Sequence, residues 1–192
     1  MEKYPGKKNI AVLLSGRGSN LKSLINYSKK KNSFFEIKLV ISNNINAGGL
    51  AIANKSKIKN YYVKYSTKRN FENQSLKLIK KHKIDLICLA GFMKILSRNF
   101  IKKFSKTILN IHPSLLPKYK GLNTHIRVIK NKEKYSGATV HIVNEKLDAG
   151  KIIIQERIKI LKSYKEKTLE KKILKIEHKI YPKAITKLLI ND

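Results

Sequence analysis

Cysteine is nearly absent from the sequence, in which Cys88 is the only one among 192 residues. A single cysteine excludes an internal disulfide, and no Cys/His cluster has the spacing of a zinc site. Since disulfides are rare in reducing compartments, we expect a cytoplasmic protein without a metal ion. Cys88 itself lies in the middle of an apolar run and is expected to be part of the core.

Long hydrophobic runs are also absent. No stretch approaches the roughly 18 apolar residues that are needed to span a bilayer. The N-terminus is polar, and the apolar run that follows it reaches only from Ile10 to Leu14, which is too short for a signal peptide. Hydrophobic residues nevertheless make up 42% of the chain. This composition excludes a disordered chain and predicts a globular protein with no membrane partner.

Internal repeats and low-complexity linkers are missing too. A chain of 192 residues has the size of one domain with a substantial core. We therefore predict a single domain over residues 1–192, with residues 1–8 flexible. We expect the protein to be a monomer or a weak homodimer.

Acidic residues are scarce, since 12 Asp and Glu stand against 43 Lys and Arg and the formal net charge is +31. Such a charge is typical of proteins that bind nucleic acid or anionic membranes. Only five of the basic residues are arginine, however, and nucleic-acid readers usually rely on arginine for bidentate contacts. Lysine is spread along the whole chain, and Lys, Ile and Asn all have A/T-rich codons. We favour compositional drift, and expect small anionic substrates rather than a specific nucleic acid.

Short apolar runs alternate with amphipathic segments. Strands are predicted at residues 9–14, 35–42, 61–63, 85–90, 107–111, 138–143 and 151–160, and helices at 21–30, 50–55, 69–82, 97–104, 124–131 and 164–189. This alternation predicts an α/β fold with a mostly parallel twisted sheet and helices on both faces. The last two strands follow each other without a helix, and we expect them to add antiparallel to one edge.

A glycine-containing loop, Gly16–Asn20, joins the first strand to the first helix. Glycine lets the backbone approach an anion, and the N-terminus of a helix offers free N–H groups and a positive dipole end. The loop lacks the third glycine of a dinucleotide fingerprint and the Gly-Lys-Ser/Thr of a P-loop. Two interpretations stay open at this point, a phosphate cradle and an ordinary tight turn.

Polar side chains follow the predicted strand 107–111. Asn110 and His112 lie two residues apart, so both side chains point to the same side of an extended strand. Ligands of open α/β sheets bind beyond the carboxyl ends of the strands. Asp148 lies in a later loop, and if it approaches His112, its carboxylate raises the pKa of the imidazole. A protonated His112 together with Asn110 could then stabilise an oxyanion in acyl transfer. Ordinary turn residues remain the alternative, because spacing does not show that Asp148 meets His112.

The segment 110–119 resembles the signature of the phosphoribosylglycinamide formyltransferase family, folate-dependent enzymes of purine synthesis. Further segments resemble this family in the same order, namely 15–21, 89–97, 137–141, 147–150 and 177–182. The resemblance extends from Ile10 to about Ala184. It implies a single-domain Rossmann-like formyltransferase fold for almost the whole chain.

The resemblance also implies the reaction, in which the amine of 5-phosphoribosylglycinamide attacks the formyl carbon of 10-formyltetrahydrofolate during IMP biosynthesis. Asn110 and His112 would stabilise the tetrahedral oxyanion and assist proton transfer. Asp148 would hold His112 in its working protonation state. By resemblance, the ribotide would contact Gly18, Ser19, Asn20, Leu21, Lys22 and Glu177. The folate co-substrate would contact Lys68, Met93, Lys94, Ile95, Leu96 and Asn110.

The chain departs from the family pattern near these positions. Lysine stands at Lys68 and Lys94, where the family often has arginine. A lysine keeps the charge but lacks the planar guanidinium fork, so we expect weaker contacts to the folate tail. Lys120 replaces a common proline, Asn123 a common histidine, and Ala149 a frequent glycine. We expect these changes to affect affinities more than the reaction.

Two other enzymes share the formyl-transfer core. Methionyl-tRNA formyltransferase carries an added carboxyl-terminal domain, and formyltetrahydrofolate hydrolase an added amino-terminal one. This sequence ends at Asp192, its first strand begins close to its start, and Pro113 fits the glycinamide enzyme better. We therefore expect the glycinamide enzyme. A basic nucleic-acid-binding module without catalysis is disfavoured, because Asn110, His112 and Asp148 are intact.

Overall fold

Seven strands and six helices alternate along residues 6–191, the part of the chain that the structure, a computed structural model, describes. The strands are β1 (Lys8–Leu14), β2 (Phe35–Ser42), β3 (Lys59–Tyr62), β4 (Leu86–Leu89), β5 (Ile108–His112), β6 (Tyr135–Ile142) and β7 (Ile152–Lys159). The helices are α1 (Ser19–Ser28), α2 (Gly48–Lys55), α3 (Lys68–Lys81), α4 (Arg98–Phe104), α5 (Thr124–Lys130) and α6 (Glu166–Asn191). Each predicted element is present at these positions, with ends that differ by a few residues.

The described residues divide into two compact units, which are the described part of Met1–Ile108 and Leu109–Asn191. Most of the segment 1–8, which we expect to be flexible, lies outside the described residues, which begin at residue 6. Strand β1 already begins at Lys8, whose backbone N–H donates to the carbonyl of Phe34 at 2.9 Å. Nowhere in residues 6–191 is there a helix with the length and apolar character of a membrane span.

The first unit has a parallel sheet in the order β3-β2-β1-β4. Its central strand β1 is apolar from Ile10 to Leu14, and all five side chains are fully buried. Such continuous apolar strands are typical of parallel sheets that are covered on both faces. Cys88 lies on β4 and is buried, as its apolar neighbourhood predicts. The core of this unit therefore follows directly from the apolar runs in the sequence.

The chain order in this sheet reverses at β1. From β1 the chain continues to β2 and β3 on one side, and it then returns to β4 on the other side of β1. Loops after the carboxyl ends of two such neighbouring strands separate in opposite directions and leave a crevice, where ligands of open α/β sheets bind. Here these two loops are residues 15–18 after β1 and residues 90–97 after β4. They are joined by the backbone N–H of Ser15, which donates to the carbonyl of Gly91 at 3.0 Å.

The second unit has an antiparallel sheet in the order β5-β6-β7, and α6 packs against β6 and β7. Helix α6 buries Leu169, Ile173, Ile176 and Ile180 on one face, at the spacing of three and four residues that an amphipathic helix requires. Tyr181 is also fully buried, and its hydroxyl donates to the carbonyl of Leu109 on β5 at 3.2 Å. The predicted α/β class, with parallel strands followed by antiparallel ones, is confirmed.

Candidate active site

The end of β5 presents Asn110 and His112 to one carboxylate. Asn110 Nδ2 lies 3.4 Å from Oδ1 of Asp148, and His112 Nδ1 lies 3.4 Å from Oδ2 of the same residue. Both side chains therefore leave β5 on the same side, as their spacing of two residues predicts. The structure thus brings together the three residues that we predicted to be catalytic, and all three belong to the second unit.

Asp148 reaches this position from the loop between β6 and β7. Its backbone adopts the left-handed region with φ of 45°, which aspartate tolerates better than most residues. The backbone N–H of Gly121 donates to Asp148 Oδ2 at 2.9 Å. Gly150 closes the loop so tightly that a Cβ atom there would overlap the carbonyl oxygen of Ile142. The turn that carries Asp148 is therefore fixed by local backbone geometry.

The Asp148 carboxylate is 8% exposed. Burial alone raises its pKa, but the His141 ring in the form that carries a proton on Nε2, the Gly121 N–H and the nearby His112 outweigh burial and lower the pKa below the usual range. A carboxylate with a lowered pKa is ionised at neutral pH. Asp148 therefore supplies a fixed negative charge to His112 and Asn110.

His112 is 5% exposed, and both of its ring nitrogens face acceptors. Its Nε2 lies 2.8 Å from the carbonyl of Tyr119, and its Nδ1 faces Asp148. Burial is the largest effect and lowers the pKa of His112, while the Tyr119 carbonyl and Asp148 raise it without compensating fully. The expectation of a raised pKa is therefore wrong in its net direction. The carboxylate acts as predicted, but loss of solvent outweighs it.

His141 is a further member of this cluster, and the sequence alone assigns it no role. It lies opposite Asn110 in the antiparallel register of β5 and β6. Its Nε2 is 3.2 Å from Asn110 Nδ2 and 3.5 Å from Asp148 Oδ1. The segment 137–141 carries part of the family resemblance, but only the strand register shows which residue His141 meets. A correct pairing of the two predicted strands is the signal that would have identified it.

The glycine loop of the first unit has the geometry of an anion cradle. Gly18 is the N-cap of α1 with φ of 79°, and the helix N-terminus has no side-chain cap and no acidic residue in its first turn. A Cβ atom at Gly18 would lie 2.5 Å from Cα of Gly49, so only glycine fits this position. Ser19 and Asn20 begin the helix, followed by the buried Leu21 and the exposed Lys22. The positive end of the helix dipole at this position favours a bound anion.

The predicted folate segment lies next to this loop in the same unit. Ser15 Oγ accepts from the backbone N–H of Met93 at 2.9 Å and donates to Oδ1 of Asn43 at 2.7 Å. Met93 and Ile95 are large apolar side chains with 60% and 58% exposure. Such adjacent exposed apolar residues are typical of a ligand-binding surface. Leu96, in contrast, is buried.

Two lysines of the predicted folate group lie in this unit as well. Lys94 Nζ lies 4.8 Å from the ring centroid of Tyr65, at the distance of a cation–π contact. Lys68 is the first residue of α3. The remaining predicted ribotide residue, Glu177, belongs to the second unit, where it is buried on α6. Within residues 6–191, no group of three or more His, Cys, Asp and Glu is arranged to hold a metal ion.

Comparison with known proteins identifies the family to which the chain is similar. A family model described as formyl transferase matches residues 8–185. The phosphoribosylglycinamide formyltransferase of Haemophilus influenzae is 39% identical over 181 residues, which are 93% of this chain and 85% of that protein. The trifunctional purine biosynthetic protein adenosine-3 of Gallus gallus is 42% identical over 182 residues. The match takes in 93% of this chain but only 18% of the length of the Gallus gallus protein.

A solved structure matches in three dimensions. The crystal structure of phosphoribosylglycinamide formyltransferase from Anaplasma phagocytophilum superposes with a TM-score of 0.91 and 40% identity. The match covers 95% of this chain and 87% of that one. This agreement confirms the predicted Rossmann-like formyltransferase fold. The family model covers most of the chain, and the relatives align along nearly all of it, so this chain belongs to the formyltransferase family.

Proposed function

We propose that this chain transfers the formyl group of 10-formyltetrahydrofolate to the amine of 5-phosphoribosylglycinamide. The observation that carries the proposal is the cluster in which Asp148 holds both Asn110 and His112 at 3.4 Å. The cluster combines two hydrogen-bond donors with a fixed carboxylate, as acyl transfer without a covalent intermediate requires. The family and the names of the relatives support this substrate pair.

The reaction needs one bond to form and one to break. The amine nitrogen attacks the formyl carbon, and the carbonyl oxygen takes up negative charge. We assign stabilisation of this oxyanion to Asn110 and His112. When the tetrahedral centre collapses, the bond between the formyl carbon and folate N10 breaks. The proton lost by the amine is transferred to N10 with the help of His112, and the products are the formylated ribotide and tetrahydrofolate.

The environment of His112 suits this role. Both acceptors at its ring nitrogens stabilise the protonated ring, whereas burial lowers the pKa and makes that ring a stronger acid. An imidazolium that is held in place but releases its proton readily is a good donor to a developing oxyanion. For His112 to reach the substrate, Nε2 must leave the carbonyl of Tyr119, which lies at 2.8 Å.

We further propose how the substrates are held. The α1 N-terminus with Gly18, Ser19, Asn20, Leu21 and Lys22 would bind the ribotide phosphate, and Glu177 would contact the ribotide. The exposed Met93 and Ile95, together with Leu96, would contact the pterin and benzoyl part of the folate. Lys68 and Lys94 would attract its anionic tail, and Asn110 would contact its formyl group. A helix N-terminus without an acidic residue supports the first assignment.

A spectrophotometric assay of tetrahydrofolate formation tests the proposed function. The purified chain is mixed with 10-formyltetrahydrofolate and one of three acceptors: 5-phosphoribosylglycinamide, methionyl-tRNA or water alone. We expect saturable formation of tetrahydrofolate only with the ribotide. Product with water alone would identify a hydrolase, product only with the tRNA would identify a tRNA formyltransferase, and no product from a folded sample would reject the proposal.

Replacement of His112 tests the catalytic assignment. We expect His112→Ala to lower kcat by about 100-fold or more, because it removes a general acid and an oxyanion donor together. The affinity for the ribotide, measured by calorimetry, should change little. Tyr119→Phe keeps the carbonyl that contacts His112 and serves as a control with near-normal kcat. Wild-type turnover in His112→Ala would refute the assignment.

A further inference from the structure

We propose that His141 is a positioning residue for the formyl transfer, which acts by holding the side-chain amide of Asn110. This inference rests on the proposed function. His141 lies on β6 opposite Asn110 and is 2% exposed. Its ring meets three groups, namely the Asn110 amide, the Asp148 carboxylate and the carbonyl of Ile142.

The Asp148 carboxylate decides which way the Asn110 amide faces. Asn110 Nδ2 lies 3.4 Å from Asp148 Oδ1. An ionised carboxylate only accepts hydrogen bonds, so the amide nitrogen and not the amide oxygen must face it. The same nitrogen lies 3.2 Å from His141 Nε2. Because the nitrogen carries only hydrogens toward its neighbours, Nε2 of His141 must accept the second N–H.

The other side of the His141 ring leads to the same tautomer. Nδ1 lies 2.9 Å from the carbonyl of Ile142, and a carbonyl oxygen can only accept. Nδ1 therefore carries a proton, and in the neutral ring Nε2 keeps its lone pair. The two ends of the ring agree, and the geometry points to His141 as a neutral acceptor with its proton on Nδ1.

This arrangement leaves one N–H of Asn110 available to substrate. The contact to His141 is the shorter of the two, whereas the contact to Asp148 at 3.4 Å lies beyond the usual N–H···O range. The second N–H, which points away from His141, is thus weakly bonded to Asp148 and can be shared with a developing oxyanion. The terminal torsion of an asparagine is broad, so His141 is needed to keep the amide from rotating away.

A proton on Nε2 would reverse this arrangement. It would be directed at Asp148 Oδ1, which lies 3.5 Å from Nε2. The Asn110 amide would then meet a donor and would have to turn its oxygen toward the ring. In that state His141 would act through Asp148 and not through Asn110. The Asn110 amide would direct its oxygen, and no N–H, toward His141. The two possibilities differ in tautomer and in kinetics.

The tautomer is measured directly by long-range ¹H–¹⁵N NMR of the histidine rings in the wild-type chain. The His141 signals are assigned by their loss in His141→Gln, which keeps a polar side chain at this position. We expect a protonated Nδ1 and an unprotonated Nε2 at neutral pH. A protonated Nε2 would overturn the proposal, independently of whether the chain is active. This readout also keeps the proposal testable if His141→Leu folds poorly.

Steady-state kinetics of the folded variants test the function of the contact. We expect His141→Leu to lower kcat by about 100-fold, the effect of a misplaced catalytic group, with an unchanged KM for the ribotide. His141→Gln offers a carbonyl oxygen in place of Nε2 and should restore most of the rate. In an Asn110→Ala background, His141→Leu should not lower kcat any further. His82→Leu, a histidine replacement at the C-cap of α3 in the first unit, is the matched control and should leave kcat unchanged.

The outcomes separate this inference from the proposed function. Absence of formyl transfer in the wild-type chain contradicts the proposed function, and the NMR result still decides the tautomer. If the wild type is active and His141→Leu lowers kcat by the same factor in the wild-type and Asn110→Ala backgrounds, His141 does not act through Asn110 and the proposal is overturned. A displaced pH profile in His141→Leu also overturns it, since such a shift assigns His141 to Asp148 and His112.

Discussion

At the scale of single residues, the proton of His112 is subject to opposing effects. Burial lowers the pKa of the ring, and the Tyr119 carbonyl and the Asp148 carboxylate raise it. If the protonated ring is the working form, the rate is lost as the pH rises through this pKa. The pH at which the rate falls on the alkaline side therefore reports the balance between burial and the two acceptors.

Replacement of Asp148 should shift this balance in a defined direction. In Asp148→Asn the charge that raises the pKa of His112 is removed, while burial remains. The pKa of His112 must therefore fall further, and we expect the alkaline limb of the kcat profile to move to lower pH. The rate at neutral pH should fall by about 100-fold or more. Rates measured from pH 5 to 10 test this. An unmoved alkaline limb would remove Asp148 from the mechanism.

Gly18 lies at a position of the first unit that does not accommodate a side chain. We expect Gly18→Ala to destabilise the chain by about 1–3 kcal/mol, because its φ is +79° and a Cβ would lie 2.5 Å from Gly49 Cα. KM for the ribotide should rise as well. Gly16→Ala is the matched control, since a Cβ at Gly16 meets nothing within 4 Å. Urea unfolding measures both variants, and equal stabilities would contradict the role of Gly18.

Part of the site could be predicted at this scale, and part could not. The common direction of Asn110 and His112 follows from the period of a strand. The contact between Asp148 and His112 depends on a turn between β6 and β7 whose geometry no local pattern specifies. The contact of His141 depends on strand register, and the net pKa of His112 depends on burial. Tertiary structure decides all three.

At the scale of elements, α3 and α4 are joined by one buried carboxylate. Glu72 on α3 is 5% exposed. Its Oε1 accepts from the backbone N–H of Ser97 at 2.6 Å, and its Oε2 accepts from the Ser97 hydroxyl at 2.6 Å. Ser97 in turn caps α4, since its Oγ accepts from the backbone N–H of Phe100 at 3.1 Å. The start of α4, directly after the proposed folate segment, is thus held by α3.

Removal of this carboxylate should loosen α4. We expect Glu72→Ala to lower the free energy of unfolding by about 2–3 kcal/mol, since two charge-assisted hydrogen bonds are lost and the Ser97 N–H is left without its acceptor. KM for the folate should rise more than kcat falls, because Leu96 precedes the disturbed cap. Chemical denaturation and steady-state kinetics measure the two effects.

Glu36→Ala is the control for loss of a carboxylate. Glu36 pairs with Lys38 at 2.8 Å, but both side chains are well exposed, at 40% and 46%. A pair of this kind contributes less than about 1 kcal/mol. If Glu36→Ala and Glu72→Ala lowered the free energy of unfolding equally, the hydrogen bonds between Glu72 and Ser97 would have no special role in stability.

Sequence patterns predict the elements better than their ends. Serine is a favoured N-cap residue, and at the start of α4 the Ser97 Oγ accepts from the backbone N–H of Phe100. Helix α1, in contrast, begins at Ser19 and not at the predicted residue 21, because Gly18 in the left-handed region starts the helix without a side-chain cap. The rules for helix starts depend on capping side chains, and a glycine N-cap gives only a weak signal.

At the scale of the whole molecule, charge is the dominant property. The 12 acidic residues can pair with at most a minority of the 43 basic ones, so most lysines repel one another. Surface ion pairs such as that of Lys179 with Glu156, at 2.8 Å, reduce this repulsion only locally. Of this excess charge, the proposed site uses Lys22, Lys68 and Lys94, and the remaining lysines act on the anionic substrates only by attraction over long range.

Self-repulsion predicts a stability that depends on salt. We expect the melting temperature to rise between low and 0.5 M NaCl, because the Debye length falls well below 10 Å. A gain of about 1 kcal/mol corresponds to roughly 2–4 °C in a chain of this size. Replacement of the exposed Lys31, Lys77 and Lys171 by glutamate should flatten this dependence, and replacement by arginine should leave it unchanged.

Binding of an anion at the α1 N-terminus would also raise the melting temperature, and sodium sulfate distinguishes the two effects. At equal ionic strength, screening gives the same rise for chloride and sulfate, whereas sulfate adds a general rise through its exclusion from the protein surface and a further rise where an anion binds. The part of the sulfate excess that comes from binding should disappear in Gly18→Ala, whereas the general sulfate effect and the rise that is common to both salts should remain. Melting temperatures that do not change with ionic strength would show that the net charge of +31 does not limit the stability of this chain.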